Sequence, residues 1–244
     1  MKLHIYKNKE ELADELAKWM CDIIQSTLQN QEFFTLALSG GETPQILYKK
    51  LATPEFKEKI NWMRVHIFWG DERAVPFNDD RNNAKMAYDL LIDHINIPDG
   101  QVHVMRTDIE PVFAAIEYEK VLHTYFNNTV KSFDLVLLGI GDDGHTLSIF
   151  PGSPLLEGKE QNWANAVYNE EQKMFRITLT PVIVNRASHI AFMVSEPNKA
   201  KILKEVIEGK YMPSTLPAQL IKPENGELHW FIDKETAKNL SATE

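Results

Sequence analysis

Short apolar runs with no polar face recur along this chain, and helical patterns lie between many of them. The runs are Leu3 to Tyr6, Phe33 to Leu38, Val65 to Trp69, Val102 to Met105, Phe133 to Ile140, Phe175 to Thr180, Ile190 to Val194 and Leu228 to Ile232. A strand that is apolar on both faces must be covered on both, which is the condition met by parallel sheets with helices on each side. Leu12, Leu16, Trp19 and Ile23 follow the 3.6-residue spacing of a helix, with Asn8 placed as its N-cap and Glu11 at its third position. Ala115, Tyr118, Leu122 and Tyr125 repeat that spacing, and Ile202, Val206 and Ile207 do so more briefly. The expected architecture is therefore α/β, a parallel or mostly parallel sheet flanked by helices on both faces. No repeat, low-complexity tract or Gly/Ser linker divides the chain, so residues 1–244 are expected to form a single domain. The most irregular stretch, Pro151 to Lys173, is rich in Gly, Asn and Glu. It reads as a long loop, an excursion or lid at 151–173 bordering a site.

Charge limits the partners. Lys and Arg number 26 against 35 Asp and Glu, a formal net charge of −9, so the long-range field repels polyanions and no basic stripe offsets it. Nucleic acid is not an expected partner, and a small anionic ligand would have to be held by a few placed cations and backbone amides. The single cysteine, Cys21, excludes an internal disulfide framework and a multi-cysteine zinc site, and reads as a buried helix residue in a reducing compartment. The eight histidines are scattered, without an H-x-x-x-H pair, so no metal site is expected. Met1 to Tyr6 lacks the pattern of a signal peptide, and no stretch approaches the ~20 apolar residues of a membrane span. A cytoplasmic location is expected, with no membrane partner.

In sheets of this kind the ligand lies beyond the carboxyl ends of the strands, and four strand ends carry chemistry. Ser39-Gly40-Gly41-Glu42-Thr43-Pro44 follows the second run. Thr43 fits an N-cap and Pro44 the first helical position, and the glycines let a phosphate approach the helix amides. No Gly-Lys-Ser/Thr follows, so this is not a P-loop. Trp69-Gly70-Asp71-Glu72-Arg73 reads either as a solvated turn with a local ion pair or as a site in which Arg73 faces an anion and Asp71 meets a substrate hydroxyl or orients a neighbour. Gly139-Ile140-Gly141-Asp142-Asp143-Gly144-His145-Thr146 matches G-x-G-x-x-G. Pro151-Gly152 forbids the long crossover helix of a dinucleotide site, however, and Asp142 and Asp143 would face the pyrophosphate. The loop suits the placing of His145 as a proton acceptor, with Asp143 orienting it or binding substrate. Ser195-Glu196-Pro197-Asn198-Lys199 puts Lys199 in the first turn of a helix, where the dipole disfavours a cation unless an anion binds there. A serine-hydrolase elbow, G-x-S-x-G, does not occur.

These segments, with Ser148, Phe150, Pro151 and Gly152, with Arg176-Ile177-Thr178-Leu179-Thr180 and with Lys199-Ala200, resemble in order the motifs of the glucosamine-6-phosphate isomerase/6-phosphogluconolactonase family, and within it the lactonases. The resemblance covers nearly the whole chain. It implies a Rossmann-like α/β fold, no required cofactor, and hydrolysis of 6-phospho-D-glucono-1,5-lactone to 6-phosphogluconate in the pentose phosphate pathway. It further implies that His145 is the general base, that Asp71 and Asp143 lie near the reacting ring, and that Arg73, Lys199 and the loop Ser39, Gly40, Gly41 and Thr43 receive the phosphate. Where the lactonases often show Asp-His and then Ser-Asn, this chain has Asp79-Asp80 and Asn82-Asn83, and only Asn83 carries over. Leu147 stands where a small residue is common. The deaminases of the family typically follow the histidine with a segment supplying a Glu, absent from Thr146 to Pro151 here, and tend to have Asp-Glu-Tyr where this chain has Asp71-Glu72-Arg73. The alternatives are a glucosamine-6-phosphate deaminase and a non-catalytic sugar-phosphate binder, as a monomer or a small homo-oligomer.

Overall fold

A computed structural model describes residues 1–157 and 161–241. The strands are β1 (Lys2–Tyr6), β2 (Phe34–Leu38), β3 (Val65–Trp69), β4 (Asp71–Arg73), β5 (Leu135–Leu138), β6 (Ala164–Asn169), β7 (Met174–Leu179), β8 (His189–Val194) and β9 (Glu227–Asp233). Six form one sheet in the order β1-β9-β8-β5-β2-β3, and each of its ladders is parallel. Every residue of β2 and β5 is buried, because helices cover both faces; this is why these strands show no polar alternation. The helices are α1 (Lys9–Leu28), α2 (Thr43–Leu51), α3 (Pro54–Lys57), α4 (Asn83–Leu90), α5 (Pro111–Phe126), α6 (Pro181–Val184), α7 (Ala200–Glu208) and α8 (Lys234–Ala237). As expected, Asn8 caps α1, its side-chain oxygen accepting the Glu11 amide at 2.9 Å. Cys21 lies on the buried face of α1, and burial pushes its thiol up to about 11. No helix among the described residues is long and apolar enough to cross a membrane.

Two segments differ from the sequence expectation. Val102 to Met105 is not a strand: Val102 makes one isolated bridge to Ile67. The chain then turns away from the edge strand β3, sending Met105 into the core. The stretch 151–173 is not one loop. Its second half contains β6, which pairs antiparallel with β7 from Ala164↔Leu179 to Asn169↔Met174, and Asn and Glu near the hairpin turn mask the strand in composition. Trp163, at the entry to β6, packs on His123 with ring centroids 4.1 Å apart and under the Arg186 guanidinium. Residues 158–160 of that stretch lie outside the described residues.

β4, β7 and β6 form a small second sheet, entered through Gly70. The Gly70 amide donates to Leu38 O at 2.8 Å, and its carbonyl accepts from the Leu179 amide at 2.8 Å, so this residue bonds both sheets. Two buried tyrosines seal the strand ends beside it. The Tyr48 hydroxyl, from α2, donates to Ser39 O at 2.6 Å and accepts from Ser39 N at 3.0 Å. The Tyr118 hydroxyl, from α5, does the same for Trp69 O at 3.0 Å and Trp69 N at 2.8 Å. Each hydroxyl satisfies a backbone donor and acceptor where ladder pairing stops. Tyr48→Phe would leave both Ser39 groups unpaired and is expected to cost about 1–3 kcal/mol in urea unfolding; an unchanged midpoint would show that water replaces the hydroxyl.

Candidate active site

β2 and β5 are neighbours, yet the chain leaves β2 toward β3 on one side and β5 toward β8 on the other. Their carboxyl ends therefore diverge, and the crevice of a doubly wound sheet opens there. It holds about 690 Å³ of space open to solvent. The loop after β2 supplies Ser39, Gly40, Gly41 and Thr43; β4 supplies Asp71 and Arg73; the head of α4 supplies Asn83. The loop after β5 brings His145, and that after β8 brings Lys199. The strand ends thus gather in one cleft every singled-out residue except Asp143, which stands behind His145.

The loop after β5 is tight: the Gly141 amide donates to His145 O at 2.8 Å and the Gly144 amide to Gly141 O at 3.0 Å. The turn places Asp143 Oδ1 2.6 Å from His145 Nδ1 and 3.0 Å from the His145 amide. Burial opposes the charge on Asp143, but these bonds from His145 outweigh it and hold the carboxyl below its usual range. The ring rests against Phe150, with centroids 4.5 Å apart. A Cβ at Gly141 would lie 2.0 Å from His145 Nδ1, so the glycine that imitates a nucleotide fingerprint instead makes room for the Asp143–His145 pair. Leu147 follows with φ +55°, a left-handed conformation that costs a branched residue about 1–2 kcal/mol. It lies between Thr146 and Ile149, which bridge to each other.

The charged triplet after β3 is not a solvated turn. Glu72 is fully buried. Its Oε1 accepts the amides of Arg73 and Asn83, both at 2.7 Å, and its Oε2 that of Ala84 at 2.8 Å. Burial pushes this carboxyl up to about 7 against the pull of the three amides. Asp71, on the opposite face of β4, accepts from the Ser148 hydroxyl at 2.6 Å through Oδ2, which also lies 3.8 Å from Arg176 Nη1. The Asn83 side chain donates to Asp71 O at 2.9 Å. It packs so closely on the β2 loop that a Cβ at Gly40 would meet it at 2.1 Å.

Arg176 was not among the expected site residues. It sits opposite Arg73 in the β4–β7 ladder, is 5% exposed and lines the cleft. Burial lowers the proton affinity of its guanidinium, with Arg73's charge adding to the effect and Asp71 opposing it. The Nε atoms of both arginines are buried without a hydrogen-bond partner among the described residues, an arrangement that calls for an anion. A charged residue inside an otherwise apolar strand run was the available signal. Thr43 departs from expectation differently: it begins α2 rather than capping it, Glu42 being the cap residue, and its hydroxyl donates to Glu196 Oε1 at 3.0 Å. Lys199 is likewise not inside α7. It ends a single 3-10 turn, is the cap residue of α7, and places Nζ 3.2 Å from the same Glu196 oxygen.

The raised Glu72 carboxyl gives a pH signature. The folded chain holds this proton more tightly than the unfolded chain, so its stabilising contribution is full below 4.5 and fades as pH rises through about 7. Over that interval the wild type is expected to lose stability relative to Glu72→Gln, by an amount on the order of a few kcal/mol. Urea titrations of both proteins at pH 4.5 and 7.5 measure the difference, and parallel pH dependence would refute it.

Comparison with known proteins agrees with the geometry. Residues 7–230 match the family described as glucosamine-6-phosphate isomerases/6-phosphogluconolactonase. The 6-phosphogluconolactonase of Haemophilus influenzae is 37% identical over 205 residues, 84% of this chain and 87% of that one. The Synechocystis 6-phosphogluconolactonase is 35% identical over 237 residues, 96% and 95% of the two chains. The crystal structure of the Thermotoga maritima 6-phosphogluconolactonase superposes with a TM-score of 0.82 at 28% identity, covering 96% of this chain and 99% of that one. With the ordered motifs gathered at one crevice and the match running over nearly its whole length, the chain belongs to the glucosamine-6-phosphate isomerase/6-phosphogluconolactonase family.

Proposed function

We propose that this cleft hydrolyses 6-phospho-D-glucono-1,5-lactone to 6-phosphogluconate, the activity for which its Haemophilus and Synechocystis relatives are named. The observation that carries the reading is the Asp143–His145 pair at the mouth of the crevice. His145 Nδ1 donates to Asp143 at 2.6 Å, which places the proton of the neutral ring on Nδ1 and leaves the Nε2 lone pair free to take a proton from water. The water oxygen bonds to the lactone carbonyl carbon as its proton passes to Nε2. Asp143 stabilises the resulting imidazolium. The tetrahedral oxyanion then collapses, the ring carbon–oxygen bond breaks, and the departing ring oxygen takes the proton back from Nε2 as a hydroxyl. One water is consumed and the histidine is restored.

The rest of the cleft positions the substrate. Lys199, Thr43 and the backbone at the head of α2 receive the phosphate together with Arg73, and Arg176 adds a third, buried cation. Asp71 and Asn83 border the sugar hydroxyls. The carboxylate formed by ring opening appears beside Asp71 and Asp143, and its repulsion from them favours release. The deaminase alternative fits less well, since Thr146 to Pro151 supplies no Glu to pair with the histidine.

His145→Ala is expected to lower kcat by roughly 10²–10⁴-fold with 6-phosphogluconate affinity largely kept. The check is a coupled assay with an enzyme-free control, because the lactone also opens unaided, and near-normal turnover would sink the assignment. Arg73→Ala and Lys199→Ala are expected to raise KM for the phosphorylated lactone far more than for plain gluconolactone; an unchanged preference between the two would remove the phosphate role. Ammonia release from glucosamine 6-phosphate, measured in parallel, identifies a deaminase, and binding without hydrolysis identifies a sensor.

A further inference from the structure

We infer that Glu196 tempers the affinity of the cleft for phosphorylated ligands: its carboxylate is the chain's own occupant of the anion subsite, and a substrate phosphate must displace it. One oxygen, Oε1, accepts from the Thr43 hydroxyl at 3.0 Å and lies 3.2 Å from Lys199 Nζ. A hydroxyl and an ammonium converging on one oxygen are the donors a phosphate oxygen takes. The position lies at the head of α2, a nine-residue helix whose cap residue makes no side-chain hydrogen bond to it, so the helix dipole favours negative charge there. The Lys199 side chain is held down, 16% exposed, whereas that of Glu196 is 34% exposed. The carboxylate can therefore swing outward while the cation stays.

The competition falls on the phosphate. With the cleft empty, Glu196 neutralises Lys199 and occupies the Thr43 donor. A neutral hydroxyl offers nothing that outcompetes a carboxylate for an ammonium, whereas a phosphate dianion brings twice the charge and more acceptor oxygens. Once the phosphate is seated, the displaced carboxylate remains nearby and repels it, which speeds departure of the product. Glu196 thus lowers affinity for an anion seated in the subsite and leaves ligands that do not enter it unaffected.

The inference rests on the reading of the cleft as a phosphosugar site, and its test needs no turnover. The full-length wild type, Glu196→Gln and Glu196→Ala are titrated calorimetrically, at fixed ionic strength, with inorganic phosphate, 6-phosphogluconate and gluconate. Both variants are expected to bind phosphate and 6-phosphogluconate roughly tenfold more tightly, the scale of removing one partly screened like charge at contact distance. Gluconate affinity is expected to stay as in the wild type. Unchanged or weaker phosphate binding in both variants would overturn the inference and make Glu196 a tether that positions Lys199. A wild type that binds 6-phosphogluconate but does not hydrolyse the lactone would defeat the lactonase reading and leave this result standing. No phosphate binding by any of the three proteins would defeat both.

Discussion

The buried carboxyl of Glu72 makes no ion pair among the described residues; it is met by three backbone amides, two of them at the head of α4. Much of the cleft is laid out by that arrangement. Successive residues of a strand point to opposite faces, so once Glu72 is turned toward α4, Asp71 and Arg73 must face the other way, into the crevice. The amides that Glu72 receives include those of Arg73 and Asn83 themselves, so one side chain fixes where two cleft residues begin. Replacing the acid by an apolar group would leave buried amides without acceptors, a larger loss than the hydrogen bonds alone represent.

A strongly acidic chain can still offer an anion a local cationic site, because Arg73, Arg176 and Lys199 line one cleft. Arg73 and Arg176 are cross-strand neighbours whose mutual repulsion is eased from one side by Asp71, itself fixed by the Ser148 hydroxyl. Lys199 is balanced by Glu196. Each of the two cationic centres thus has an acid beside it, Asp71 at the arginines and Glu196 at the lysine. The net charge of −9 describes the surface as a whole and is a poor guide to this crevice.

What could be read in advance followed from physical redundancy. The main-sheet strands announce themselves because a doubly covered strand must be apolar throughout, and the loops at their ends stand out by contrast. Thus Ser39 to Thr43, Asp71, Arg73, His145 and Lys199 were found from local sequence, and all line one cleft. Long-range pairing was not legible. β4 consists of three charged residues and resembles a solvated turn until β7 and the head of α4 are set against it. β6 hides among Asn and Glu. Val102 to Met105 has the composition of a strand, but its backbone meets β3 through one isolated bridge, Val102 to Ile67, and one hydrogen bond, from the His103 amide to Ile67 O at 2.8 Å. Arg176 and Glu196 were missed because their meaning depends on residues 103 and 153 positions away, Arg73 and Thr43.

The double bonding of Gly70, to Leu38 in one sheet and Leu179 in the other, bears on how the crevice can move. Its two walls are continuous through a single residue, and swinging one sheet away from the other would break a hydrogen bond on one side of that residue. The tyrosine hydroxyls at Ser39 and Trp69 fix the adjoining backbone in the same way. A ligand therefore meets two walls that are bonded to each other. What can adapt beside them is a side chain such as Glu196, more exposed than the Lys199 it pairs with.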